Sequence, residues 1–216
     1  MKIIQLALPL CVLLLAGIQP VAQPIALASA NSTRTFQVVK KKGSIHVFER
    51  WFEVEGEERE TRELKSEFTV SASIDEILPF IQDPGKVEKW MKAVGEVKAI
   101  EGKGTPQWVS YIRYDVPWPL NDQDCLMRYQ LLREGNRASV YFRSVADSRM
   151  PPKDGIKRLE GIQGLWRLQA LGNGQTRVTY SMLTLEKPSM PRWVTDPVVR
   201  ANMLESMEAF FGLLKD

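Results

Sequence analysis

From residue 94 to residue 186, apolar and polar residues alternate in stretches near 94–101, 107–116, 124–134, 137–146, 164–171 and 176–186. Successive side chains of a strand point to opposite faces, so this alternation predicts half-buried strands. The breaks Gly102-Lys103-Gly104, Gly135-Asn136 and Gly172-Asn173-Gly174 supply residues that accept the positive φ of tight hairpins. The segment is therefore an antiparallel meander. Upstream, residues 36–54 and 60–71 read as strands paired across the charged turn Glu55-Gly56-Glu57-Glu58.

Between these blocks the period changes. Ser73 with Glu76 three positions on forms a capping pair, and Ile77, Leu78, Phe80 and Ile81 follow at helical spacing until Asp83-Pro84-Gly85. Pro79 predicts that this helix is short or kinked. A second short helical piece carries Val87, Trp90 and Met91, and a long helix runs from near Pro191 to the C-terminus. Sheet and helix must cover one another, which defines an α+β fold with the helices on one face of the sheet.

Alternation separates Ile112, Tyr114 and Val116 from Tyr111, Arg113 and Asp115, and Met127, Tyr129 and Leu131 from Leu126, Arg128 and Gln130. It groups Val140 with Phe142, Trp166 with Leu168, and Val178 with Tyr180 and Met182. One face of each strand is expected to be buried, and that face is rich in Tyr, Trp and Met. On the terminal helix Trp193, Met203, Leu204, Met207, Phe210, Phe211 and Leu214 fall on one stripe, with Glu205 and Glu208 pointing away. Asp196 and Arg200 fall on the apolar side four residues apart, either as an ion pair at the rim of the sheet or as contacts for a ligand head group. Met and aromatic residues on an inner face are more often plain core than cavity wall, so this pattern alone does not identify a ligand.

The first thirty residues read as a signal peptide. Met1-Lys2 is followed by an apolar run from Ile3 to Leu15, and Ala28-Ser29-Ala30 is a small-residue cleavage site. A membrane span needs about 20 predominantly apolar residues, and Pro9, Gly17 and Pro20 interrupt this run. Residues 31–216 are then one domain, secreted or periplasmic. The formal net charge is +3, with the basic residues spread along the chain; Lys40-Lys41-Lys42 precedes Gly43-Ser44 as in a solvated turn. No nucleic-acid partner is expected. Cys125 is the one cysteine beyond the leader, which excludes an intramolecular disulfide, and a single histidine, His46, excludes the usual His/Cys metal clusters.

The stretch Tyr111-Ile112-Arg113-Tyr114-Asp115-Val116-Pro117-Trp118-Pro119-Leu120-Asn121-Asp122-Gln123-Asp124 resembles a segment of START lipid-binding domains, in which a strand ends in Pro-Trp-Pro and an Asp-x-Asp turn leads into the next. Met150-Pro151-Pro152-Lys153, Gly164-Leu165-Trp166-Arg167-Leu168, the stretch from Gly172 to Tyr180, and Pro191-Arg192-Trp193 at the start of the last helix follow in the family's order. The resemblance extends from about Ser44 to the C-terminus. It implies the helix-grip fold, a curved antiparallel sheet wrapped around the long C-terminal helix, with an internal apolar cavity that admits a lipid, sterol or similar molecule. Gln123 departs from the family, where an Arg often stands between the two aspartates. Asp122 and Asp124 are expected to accept from turn amides or to meet Arg113 and Arg128.

Three functions follow from these readings. The first is a carrier or sensor that binds one apolar small molecule, lined by Trp90, Ile112, Tyr114, Met127, Tyr129, Phe142, Trp166, Tyr180, Arg200, Met203 and Met207. It is expected to need no cofactor, to act as a monomer and to touch membranes only transiently. The second is an enzyme, since cyclases and hydrolases occur on related folds; no Gly-x-Ser-x-Gly turn is present, and acid–base work would fall to Tyr114, Tyr129, Asp124 or Arg143. The third is an interaction module whose cavity has closed to a solid core.

Overall fold

The computed structural model describes residues 34–54, 56–116, 121–187 and 190–215. The signal-peptide reading of residues 1–30 and the Pro117-Trp118-Pro119-Leu120 portion of the family segment lie outside the described residues.

The strands are β1 (Gln37–Lys42), β2 (Ile45–Glu53), β3 (Glu60–Val70), β4 (Val94–Glu101), β5 (Gln107–Tyr114), β6 (Gln123–Glu134), β7 (Arg137–Ser144), β8 (Lys157–Arg158), β9 (Ile162–Gly172) and β10 (Gln175–Thr184). They form one sheet in the order β1-β2-β3-β10-β9-β7-β6-β5-β4, antiparallel along this path, with β8 added in parallel to β6. The helices are α1 (Ile74–Gln82), α2 (Pro84–Trp90) and α3 (Arg192–Gly212). The expected strand over 36–54 is two strands. Gly43 takes φ +56°, which turns the chain back between Lys42 and Ile45, so Lys40, Lys41 and Lys42 belong to the exposed edge strand.

The junction between β3 and the helices follows the predicted chemistry. Ser73 Oγ accepts from the Glu76 amide at 3.3 Å, and the Glu76 carboxylate accepts from the Ser73 amide at 2.7 Å. Asp83 ends α1 and caps α2, whose first residue is Pro84. Pro79 sits within α1, which stops three residues later. Trp90 Nε1 donates to the Phe80 carbonyl at 2.8 Å, fixing the two short helices to each other.

α3 packs on α2 and on β1, β2 and β3. Met203, Met207 and Phe210 are buried against the sheet, but Trp193, expected on the same stripe, is 80% exposed. The apolar stripe begins a turn or more beyond Pro191, and the first turns of the helix project past the edge of the core. Ion pairs rather than apolar burial hold them there.

Tyr111, Leu126 and Gln130, expected on the open face, are buried. Val109, Tyr111 and Leu126 make a second, smaller core on the convex side of the sheet, covered by Val145 and Met150. The segment 145–161 folds back over these strands: Val145 N donates to Leu126 O at 2.9 Å, and Leu159 N to Asp124 O at 2.7 Å. Alternation within one strand does not reveal such a strap, because the strap is supplied from elsewhere in the chain.

Candidate functional site

Strand register places Trp108, Ile112 and Tyr114 of β5, Cys125, Met127 and Tyr129 of β6, and Val140 and Phe142 of β7 on the same concave face as Trp166 of β9 and Tyr180 and Met182 of β10. Their rings form a continuous ladder. Trp108 stacks on Tyr129 with centroids 4.8 Å apart, Tyr129 lies 5.8 Å from Phe142, Phe142 5.9 Å from Tyr180, and Tyr180 4.3 Å from Trp166. Gly164 stands opposite Phe142, and a β-carbon there would overlap the Phe142 ring and the Ser181 carbonyl. The Gly164 resemblance to the family thus has a local cause: the ring needs the space.

Both ends of the ladder, Trp108 and Trp166, are buried, but the concave face that carries it has a closed end and a less covered, accessible end. At the closed end Trp166 meets Phe210 at 4.9 Å, and Trp90 packs edge-on against both, 5.5 Å from Trp166 and 5.3 Å from Phe210. Here sheet and helix meet as solid core. At the other end Tyr114 and Met182 are only partly buried, as is Val199 of α3. Burial nevertheless pushes the Tyr114 hydroxyl well above the ordinary phenol value. Tyr114 and Met182 thus pack against the core while keeping part of their surface uncovered. Burial likewise raises Tyr129 and Tyr180, and it pushes the Cys125 thiol up to about 12 against a hydrogen bond from Tyr114 that favours the thiolate.

One rim of the concave face is ionic. Arg200 donates to both carboxylate oxygens of Glu49, at 2.6 and 3.0 Å, and Arg62 Nη1 donates to Asp196 Oδ1 at 2.6 Å. Trp51 Nε1 adds a 2.8 Å bond to Glu49, and the Arg192 guanidinium lies over the Trp51 ring at 3.3 Å. The anticipated Asp196–Arg200 pair is present at 3.7 Å, a longer contact than either residue makes with the sheet. Burial disfavours ionised Glu49, but the bonds from Arg200 and Trp51 outweigh it and hold the carboxyl below its usual value. These contacts fasten the first half of α3 to β2 and β3. A surface cleft of about 490 Å³ beside the same strands is lined by Arg34 and Arg50, which are already paired with Glu60 and Glu63.

The ten apolar and aromatic residues proposed as ligand contacts belong to one cluster, Tyr114 as a partly buried member, and Arg200 belongs to the ionic rim. Trp90, Trp166 and Met207 sit in the closed end. Of the four acid–base candidates, Tyr114 and Tyr129 face the interior. Asp124 and Arg143 are on the opposite face by register. Asp124 is fully buried, but its partner is neither Arg113 nor Arg128: Arg158 donates to it at 2.6 and 3.2 Å and also to the Met150 carbonyl at 3.0 Å. Arg113 meets Asp122 at 3.4 Å, and Asp122 accepts from the Val116 amide at 3.1 Å. The register also brings Gln123, Lys157 and Thr184 to the same end of the sheet as Tyr114. Sequence reasoning missed Glu49 and Arg62, whose legible signal was a charged residue at an inward position of an alternating strand.

A curved antiparallel sheet with a long C-terminal helix across its concave face defines a helix-grip protein. The chain belongs to the polyketide cyclase/dehydrase and lipid transport family, whose model matches residues 61–216. Its structure is similar to the STAR-related lipid transfer protein of Xanthomonas axonopodis, with a TM-score of 0.71 and 23% identity over 83% of this chain and 98% of that one. The Zhui aromatase/cyclase from Streptomyces sp. R1128 also shares the fold, with a TM-score of 0.53 and 17% identity over 71% of this chain and 93% of that one. An uncharacterised Pseudomonas aeruginosa protein is 28% identical over 111 residues, which span 51% of this chain and about half (54%) of that protein.

Proposed function

We propose that this protein binds a single hydrophobic molecule between the sheet and the first half of α3 and carries it outside the cytoplasm as a monomer. The observation that carries the reading is the contrast along one apolar face. It is solid core at Trp166 and Phe210 and only partly covered at Tyr114 and Met182, which we read as the entrance to a recess that the ligand fills. An apolar wall of this kind returns about 0.8 kcal/mol for each methylene group withdrawn from water or membrane. The leader-like segment ending at Ala28-Ser29-Ala30 supports export. Exposed Trp193 and Val198, on the turns of α3 next to the recess, suit brief contact with a donor or acceptor bilayer.

Native mass spectrometry of protein purified from its own host, followed by organic extraction, tests the proposal. A stoichiometric apolar adduct is expected. An empty protein that also retains nothing from a panel of lipids and sterols overturns it.

The family's description favours a second reading, acid–base catalysis on a bound substrate by Tyr114 and Tyr129. Conversion of the extracted molecule by the wild type, lost in Tyr114→Phe while binding persists, would establish it in place of the carrier.

A further inference from the structure

Basic residues are spread along the sequence, but the sheet gathers five arginines onto one surface. Arg128 of β6, Arg137 and Arg143 of β7, Arg167 of β9 and Arg177 of β10 share the convex face by register, and all five are exposed. Arg128 and Arg143 stand directly opposite each other, an arrangement that costs stability when the charges are alike. The acids on the same face of these four strands are Asp124, which Arg158 holds, and Glu134, which stands opposite Arg137. Asp147, which attracts Arg128, is bonded by Arg149 at 2.9 and 3.1 Å, and Glu67 of β3 by Lys65 at 3.0 Å. Arg128, Arg143, Arg167 and Arg177 make no ion pair among the described residues. Four unpaired charges exceed the formal net charge of the whole chain, +3. β9 is the middle strand of the path from β1 to β4, so the patch lies at the crest of the convex surface, where a planar partner touches first. Of the exposed large apolar side chains, only Leu171, two residues beyond Gln169 on β9, lies near it. One apolar side chain is too little for the desolvated centre of a protein interface, whereas charge alone suffices for a layer of anionic head groups.

We infer that this convex face docks on the phosphate groups of an anionic phospholipid bilayer. A guanidinium forks two hydrogen bonds onto one phosphate, and a fluid layer of lipids lets each arginine find its own. α3 lies on the other face of the sheet, so a docked chain keeps it clear of the lipid. Docking of this kind does not depend on what the concave face binds.

The test is co-sedimentation of host-purified protein with vesicles of phosphatidylcholine alone or mixed equally with phosphatidylglycerol. Binding to the mixed vesicles is expected at about 0.1 M salt, where charges are felt over about 10 Å, and release at about 1 M, where they are felt over about 3 Å. Phosphatidylcholine alone is expected to bind nothing. Arg128→Gln relieves the like-charge pair and is expected to weaken binding about fivefold without lowering the melting temperature. Arg128→Gln with Arg143→Gln and Arg167→Gln is expected to weaken it roughly a hundredfold. Lys40→Gln with Lys41→Gln and Lys42→Gln removes as much charge from the edge strand β1 and is expected to change binding by less than about twofold. Equal losses in the arginine and lysine variants would trace binding to net charge and overturn the assigned face. Loss in Trp193→Ser with the arginine variants unaffected would hand docking to α3 and overturn it as well. Wild-type protein that ignores the mixed vesicles at low salt overturns the lipid occupant, and retention of that protein on immobilised polyglutamate would assign the face to an acidic protein instead. None of these outcomes touches the carrier reading, which rests on the extracted molecule.

Discussion

Asp124 shows what a buried charge does in this fold. It is fully enclosed, its partner Arg158 has a side chain only 10% exposed, and Arg158 also binds carbonyls of the 145–161 strap. The pair therefore ties the strap to β6. Removing one charge leaves the other buried without its counter-ion, a loss of about 3–5 kcal/mol. Asp124→Asn is expected to lower the urea midpoint accordingly, and Asp124→Asn with Arg158→Met to recover part of the loss. A midpoint unchanged in the single variant would contradict the strap's dependence on this pair. Cys125 gives a residue-scale prediction in pH. Its thiol is pushed up to about 12 in the folded protein, whereas an unfolded cysteine ionises near 8.5. The folded state therefore holds its proton where the unfolded state loses it. The associated stability is complete below about pH 8.5 and declines as pH rises toward 12. Urea titrations between pH 8 and 10 are expected to show a steeper alkaline decline in the wild type than in Cys125→Ala.

At the scale of elements, α3 divides into a half held by packing and a half held by charge. Met207→Ala empties a site with no exposed surface and is expected to cost about 2–5 kcal/mol, whereas Trp193→Ser is expected to stay within about 0.5 kcal/mol. Equal losses in chemical denaturation would mean that the first turns of α3 are packed after all. The same division explains what was legible beforehand. Strand positions in the meander, the capped α1 and the terminal helix were readable because each rests on local signals: alternation, a capping pair, glycines at turns. Trp193 was misplaced because helical periodicity locates a stripe without showing where its cover ends. Tyr111 and Leu126 were misplaced because the strap that buries them is not periodic. Glu49, Arg62 and Arg158 could not be matched with Arg200, Asp196 and Asp124, since each pair joins elements far apart in the chain and requires the register first. Of the candidate site, the aromatic wall was readable by alternation, and its division into a closed end and a less covered end was not.

For the whole molecule, the arrangement couples ligand to stability. The closed end is complete without a ligand, because Trp90, Trp166 and Phe210 satisfy one another there. The accessible end leaves Tyr114 and Met182 short of contacts. A molecule filling it supplies those contacts to the folded state alone. A ligand at a hundred times its dissociation constant adds about 2.7 kcal/mol. At about 2–4 °C per kcal/mol for a domain of this size, that corresponds to a rise in melting temperature of about 5–11 °C. Protein stripped of its ligand by reversed-phase extraction and refolding is therefore expected to melt lower than protein taken from its host, and to regain the difference when the host extract is added back. Met182→Trp, which fills the same space with its own side chain, is expected to melt at one temperature whether stripped or not. If wild-type protein also melts at one temperature in both preparations, the partly buried surfaces at Tyr114 and Met182 close on themselves, and the molecule is an interaction module with a solid core.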